Sequence, residues 1–251
     1  MYPLTPSQYQ SEILGYCARW LAANGSSPYT AAFSPPAGNL TTMPKLEPLP
    51  EEHMYQAYGV YLLENKHRLI RRLKKAYQPS VHGHKTWSSS FLLMDYLQHN
   101  PLKKKSRVLE VGCGWGPGSI FCAKEFKARV TGLDIDKEVF PFMDVLSELN
   151  DVKVTPMRRR LESLKGSDFA KFDCIVGSDI CFWDSLVKSL NQMITRALKH
   201  GVQRVIITDP GRPTFYELCD IARKKHRVEL SEWYSSEPER FVGEVVEIRP
   251  R

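Results

Sequence analysis

Residues 108–119, Val108-Leu109-Glu110-Val111-Gly112-Cys113-Gly114-Trp115-Gly116-Pro117-Gly118-Ser119, decide the fold. The apolar run into Val111 reads as a buried strand, and the glycines after it as a sharp turn into a helix over 116–126. Glycine is required where the backbone turns tightly and a ligand must approach without a Cβ in the way. Pro117 suits the first helical turn, where its missing N–H is no loss.

The loop does not fit a dinucleotide. A GxGxxG or GxGxxA frame opened at Gly112 meets Pro117 in sixth place, and one opened at Gly114 meets Ser119. The pattern is ExGxGxG, on Glu110, Gly112, Gly114 and Gly116. A carboxylate at the strand end suits a ligand with positive charge near the loop and suits a pyrophosphate poorly. The next strand, in VTGLDI, ends on Asp134, 24 residues after Glu110. At that tip a carboxylate can accept both ribose hydroxyls of an adenosine, and Ile135 can pack on the adenine face. S-adenosylmethionine carries a sulfonium, an ammonium and no phosphate, and it meets these requirements.

Outward from the loop, strands and helices alternate. SFLLMDYLQ reads as a helix. RVLEVG, ARVTGLDI, VKVTP, FDCIVGSD and RVIITD read as strands, with helices over about 116–126, 137–149, 184–199 and 213–225. HRVELSEWY and FVGEVVEIR read as two final strands, able to form a hairpin that adds an antiparallel strand. Alternation of this kind implies an α/β fold, a parallel sheet covered on both faces. Ahead of it, residues 7–24 and 53–77 read as helices. Residues 26–50 contain six prolines and read as an extended linker or strap. This divides the chain into an N-terminal helical and proline-rich extension, 1–77, expected to recognise a substrate or to cover an apolar face, and a main domain, 78–251.

Composition narrows the class. The 251 residues carry a net charge of +7, which suits an acidic partner or RNA and equally a solvated basic surface. No run of 18 apolar residues is present, so no membrane span is expected. MYPLTPSQYQSEI has neither a basic nor an apolar region of a secretory signal. The six cysteines form no CxxC pair and read as reduced core thiols of a cytoplasmic protein. His82-Gly83-His84 lacks further ligand candidates nearby and reads as a loop, not a metal site.

VLEVGCGWGPGS followed by TGLDID resembles motif I and the following acidic residue of the class I, seven-strand methyltransferases. The resemblance spans about 86–249. It implies a doubly wound, Rossmann-like sheet with its last strand antiparallel and S-adenosylmethionine over the carboxyl ends of the first strands. Lys85-Thr86-Trp87 before an amphipathic helix resembles the family-16 protein-lysine methyltransferases, in which this segment covers the methionine end of the cofactor; that would give Trp87 a cofactor role. Phe172 to Trp183 resembles that family's Asp-x-x-Tyr acceptor motif. Asp179 matches the Asp, while Phe182 stands where Tyr is usual, so an aromatic wall is kept without its hydroxyl. Asp209-Pro210-Gly211-Arg212 resembles the DPGR of the electron-transfer-flavoprotein lysine methyltransferases.

The resemblance therefore implies methyl transfer to a lysine of a protein, with Asp179 holding the amine and Phe182 contacting it through cation–π attraction. A small molecule or RNA as acceptor, and a non-catalytic binding module of the same fold, remain open. The segment after the third strand leaves Arg160, Leu161 and Glu162 equally in range of adenine. The basic stretch Lys66 to Lys75 is expected either to steer an acidic protein substrate or to be a solvated surface.

Overall fold

The computed structural model describes residues 51–80 and 82–251, together with Gly15. The helix expected over 7–24, apart from Gly15, and the proline-rich stretch 26–50 lie outside the described residues.

Seven strands form one sheet: β3 (Arg107–Val111), β4 (Arg129–Asp134), β5 (Val154–Arg158), β6 (Cys174–Ser178), β7 (Arg204–Asp209), β8 (Arg227–Ser235) and β9 (Phe241–Arg249). Their order across the sheet is β5-β4-β3-β6-β7-β9-β8. β3 to β7 pair in parallel, while β9 runs antiparallel to both β7 and β8. The expected doubly wound sheet with an antiparallel last strand is thus the observed one, and β9 reaches its place by pairing inward of β8.

Alternation along each strand explains the layers. In β3, Val108 packs with the core on one face of the sheet and Leu109 and Val111 with the core on the other. The first face is covered by α2 (Ser89–His99), α3 (Pro117–Phe126) and α4 (Phe140–Leu149), the last preceded by a single 3-10 turn, Lys137–Val139. The second is covered by the short α5 (Gly166–Phe169), α6 (Asp184–Lys199) and α7 (Pro213–Arg223). The chain leaves β3 toward β4 on one side and enters β6 on the other, which opens a crevice at the carboxyl ends of these strands.

The helix expected over 53–77 is not one helix. Residues 54–63 form a hairpin, β1 (Met54–Ala57) with β2 (Val60–Leu63), and only α1 (Arg68–Ala76) is helical. The cause is the dipeptide between the strands. Tyr58 and Gly59 both have positive φ, 51° and 74°, as a two-residue turn matched to strand twist requires. Tyr58 bears the unfavourable conformation because its neighbours hold it. Its hydroxyl donates to Asp95 Oδ2 at 2.8 Å and accepts the Ser236 and Glu237 N–H groups at 2.8 and 3.1 Å. Trp233 Nε1 donates to the other Asp95 oxygen at 2.9 Å.

Hairpin and α1 share the core of the first sheet face through Val60, Leu62, Leu69, Ile70 and Leu73. Arg68, Arg71, Arg72 and Lys75 of α1 are exposed, while the half-buried Lys74 places its ammonium 5.7 Å from the Trp115 ring centre. His67 caps it, its Nδ1 accepting the Leu69 N–H at 3.2 Å.

Tyr58→Phe removes the hydroxyl from a buried carboxylate and two amides. Stability should fall by about 1–3 kcal/mol, the usual cost of leaving a buried polar partner unpaired, as read by urea unfolding. A variant that unfolds at the wild-type midpoint would show that the hydroxyl braces nothing.

Candidate active site

The crevice holds a cavity of about 410 Å³, within the usual range for a small-molecule site. Its floor is the glycine loop between β3 and α3. Gly114 has a positive φ and, apart from its chain neighbours, no heavy atom of the described residues within 4 Å of where a Cβ would lie, so a ligand can approach the backbone there. Gly116 serves a different need. It caps α3 with φ 73°, and a Cβ would lie 2.6 Å from Met143 Cγ.

Glu110 lies beneath the loop, 2% exposed, and accepts the Ser119 N–H at 2.8 Å and the Ser119 hydroxyl. Burial pushes its carboxyl up to about 7, against the pull of the Ser119 hydrogen bonds. A positive group in the adjoining cavity would favour the ionised form.

Asp134 ends β4. Its Oδ2 accepts the Gly114 N–H at 3.0 Å and its Oδ1 the Asp136 N–H at 2.9 Å. Burial raises its carboxyl pKa, and these backbone bonds oppose the rise. A carboxylate has about four acceptor positions, so two backbone bonds leave room for two hydroxyls. Ile135, beside it, is 40% exposed and lines the cavity.

One wall comes from the segment before α2. Ser80 donates through its N–H and hydroxyl to Asp136 Oδ2, at 2.6 and 2.9 Å. Trp115 Nε1 donates to the Gly83 carbonyl and Trp87 Nε1 to the His82 carbonyl, each at 2.9 Å. Trp87 is half-buried on the cavity wall, with the Lys85 ammonium 4.2 Å from its ring centre.

The open end lies beyond β6. Phe182 and Trp183 meet edge to face at 4.7 Å, and His82 closes on Phe182 at 5.0 Å and on Trp87 at 5.9 Å. Trp183 is 49% exposed. Asp179 sits at the same end, in left-handed backbone with φ 61°. It pairs with Arg212 and accepts a long 3.3 Å bond from the Ser89 hydroxyl.

The expected residues Trp87, Glu110, Gly112, Gly114, Asp134, Ile135, Asp179 and Phe182 therefore line one cavity, and Gly116 lies off its wall. Arg160, Leu161 and Glu162 all border it too. Two participants were not foreseen. His82 was read as an ordinary loop residue, and its ring joins the aromatic wall. Arg212 was singled out as part of the DPGR segment but given no role, and it bridges Asp179 to Asp209. No group of three potential metal ligands occurs among the described residues.

The sheet order, the glycine loop and the acid ending the following strand define the class I methyltransferase fold. Residues 108–201 match the family model described as "Methyltransferase domain". The fold is shared with a Listeria monocytogenes protein described as a class I S-adenosylmethionine-dependent methyltransferase (TM-score 0.50, 14% identity, 73% of this chain and 67% of that one). It is shared equally with the tRNA (uracil-54, C5)-methyltransferase of Pyrococcus abyssi (TM-score 0.50, 16% identity, 78% of this chain and 44% of that one).

In sequence, the chain is similar to the electron transfer flavoprotein beta subunit lysine methyltransferases. The Danio rerio protein is 32% identical over 144 residues, covering 57% of this chain and 54% of its own length. The Homo sapiens protein is 28% identical over 130 residues, covering 51% and 49%. The chain thus spans about half the length of the curated relatives it matches.

S-adenosylmethionine is the cofactor of this fold, and the donor set here fits it. Glu110 and Asp134 suit cationic groups and hydroxyls and would repel a phosphate. Gly114 leaves the backbone open. Asp134→Ala should weaken S-adenosylmethionine binding about ten- to a hundredfold, since a charged hydrogen-bond partner contributes about 1.5–3 kcal/mol. Isothermal titration measures this directly; unchanged affinity would remove Asp134 from the ribose role.

Proposed function

We propose that the protein transfers the methyl group of S-adenosylmethionine to the side-chain amine of a lysine in a protein substrate. The observation that carries this reading is a carboxylate, Asp179, beside the rings of Phe182, His82 and Trp183 at the open end of the cavity. A cationic amine is attracted by both features, whereas a phosphate would be repelled by the first. The lysine methyltransferase names of the sequence relatives support the same acceptor.

The chemistry asks little of the protein beyond alignment and exclusion of water. A lysine of pKa about 10.4 first gives its proton to solvent. Its nitrogen then bonds the methyl carbon as the carbon–sulfur bond breaks, and that electron pair stays on sulfur in S-adenosylhomocysteine. Asp179 orients the amine; the aromatic rings shield the attack line from water. Phe182 brings no hydroxyl to this site, so directional bonding to the amine falls to Asp179.

A lysate incubated with radiolabelled S-adenosylmethionine and the protein should yield label in protein, recovered as methyl-lysine after hydrolysis. Label confined to RNA or small molecules would overturn the lysine reading. Asp179→Ala should lower turnover about tenfold or more, as loss of alignment does, with cofactor affinity nearly kept. Equal losses in both would make Asp179 a cofactor ligand only.

The same reading gives the protein substrate an acidic surface. The Lys74 ammonium of α1 lies 5.7 Å from the centre of the Trp115 ring, and Trp115, which borders the cavity, is bonded to the Gly83 carbonyl of the neighbouring loop. Reversing Arg71, Arg72, Lys74 and Lys75 to Glu spares the buried Leu69, Ile70 and Leu73. Methylation should then fall through the association rate, most at low salt. Full activity with normal cofactor binding would leave α1 a solvated surface.

A further inference from the structure

Among the described residues, the feature least accounted for by cofactor binding is the guanidinium of Arg212. The turn after β7 does not need it. Asp209 Oδ1 already closes that turn by accepting the Gly211 and Arg212 N–H groups at 3.0 and 2.8 Å. The side chain adds two further contacts. Nη1 donates to Asp209 Oδ2 at 2.7 Å, and Nη2 donates to Asp179 Oδ1.

The two carboxylates differ in freedom. Asp209 is wholly buried, fixed by its own backbone and by β7. Asp179 lines the cavity on a left-handed residue whose N–H is tied to the Thr208 carbonyl at 2.9 Å. The guanidinium therefore transmits a fixed reference, Asp209, to a carboxylate at the open end.

Resting on the methyl-transfer reading above, we infer that Arg212 is a positioning residue: it pins Oδ1 of Asp179 so that Oδ2 meets the acceptor amine. Among the described residues, Oδ2 carries only the 3.3 Å bond from Ser89, a weak one that an amine displaces. The charges agree with this. Two carboxylates share one guanidinium, so the trio keeps one uncompensated negative charge, and the arriving ammonium neutralises it. A lysine at 212 would supply the charge but not the two-armed geometry.

Three variants test this on a lysine substrate: Arg212→Lys, Arg212→Gln and Arg212→Ala. Turnover, cofactor affinity by titration and thermal midpoint are measured for each. Turnover should fall about tenfold or more in all three, with cofactor affinity within about twofold, and Arg212→Lys should not recover it. Added guanidinium ion at millimolar concentration should partly restore Arg212→Ala and leave Asp179→Ala unrestored.

Wild-type turnover in Arg212→Gln or Arg212→Lys would overturn the role, and so would parallel losses of turnover and cofactor affinity. If the single variants do not fold, Asp209→Asn with Arg212→Gln removes the buried charge together with its partner. Wild-type turnover in that folded double variant would overturn the proposal, and a selective loss would uphold it. If the wild-type protein methylates no lysine, the acceptor reading fails and takes the assignment of Oδ2 with it. If it methylates lysine while the variants match it, only the positioning role fails.

Discussion

The carboxylate of Asp134 ties the cavity together. One oxygen holds the glycine loop at Gly114; the other holds the Asp136 N–H. Asp136 in turn fastens the segment before α2 through Ser80. Floor and wall are thus set relative to one strand tip by a relay of short, charge-assisted bonds, which are stronger than neutral ones. The relay works only because β3 and β4 are in register, Val111 opposite Leu133, so that Gly114 and Asp134 arrive together.

A second regularity follows from the parallel strands. Four of them, β3, β4, β6 and β7, carry a carboxylate within one residue of the carboxyl end: Glu110, Asp134, Asp179 and Asp209. Each is held differently. Glu110 is bonded to the start of α3, Asp134 to two backbone amides, and Asp179 and Asp209 to one guanidinium. Three of the four, Glu110, Asp134 and Asp179, line the cavity, where Lys85, Arg159 and Arg160 also border it; Asp209 is buried behind Asp179.

What the sequence made legible follows the range of each interaction. The strand–glycine–helix unit and Asp134 are local patterns, and periodicity with turn residues suffices for them. The seven strands were readable for the same reason. The hairpin at 54–63 was missed because Tyr58, Leu62, Leu69 and Leu73 fall near a helical spacing while belonging to different elements; the better signal was Tyr58-Gly59, a turn dipeptide inside the supposed helix. The contacts made by Arg212 and His82 were missed for another reason. Their partners, Asp179 and Phe182, lie 33 and 100 residues away, and no local pattern encodes such a meeting.

The order of strands also bears on how the domain is completed during synthesis. β9 is the last strand of the sheet to be made, yet it lies between β7 and β8. Until residues 241–249 emerge, β7 presents an open edge and β8 has no place in the sheet. Open edges invite pairing with other chains. A ribosome stalled just before β9 would therefore hold a nearly complete cofactor crevice whose exposed flank is a template for aggregation, and the final nine-residue strand closes it.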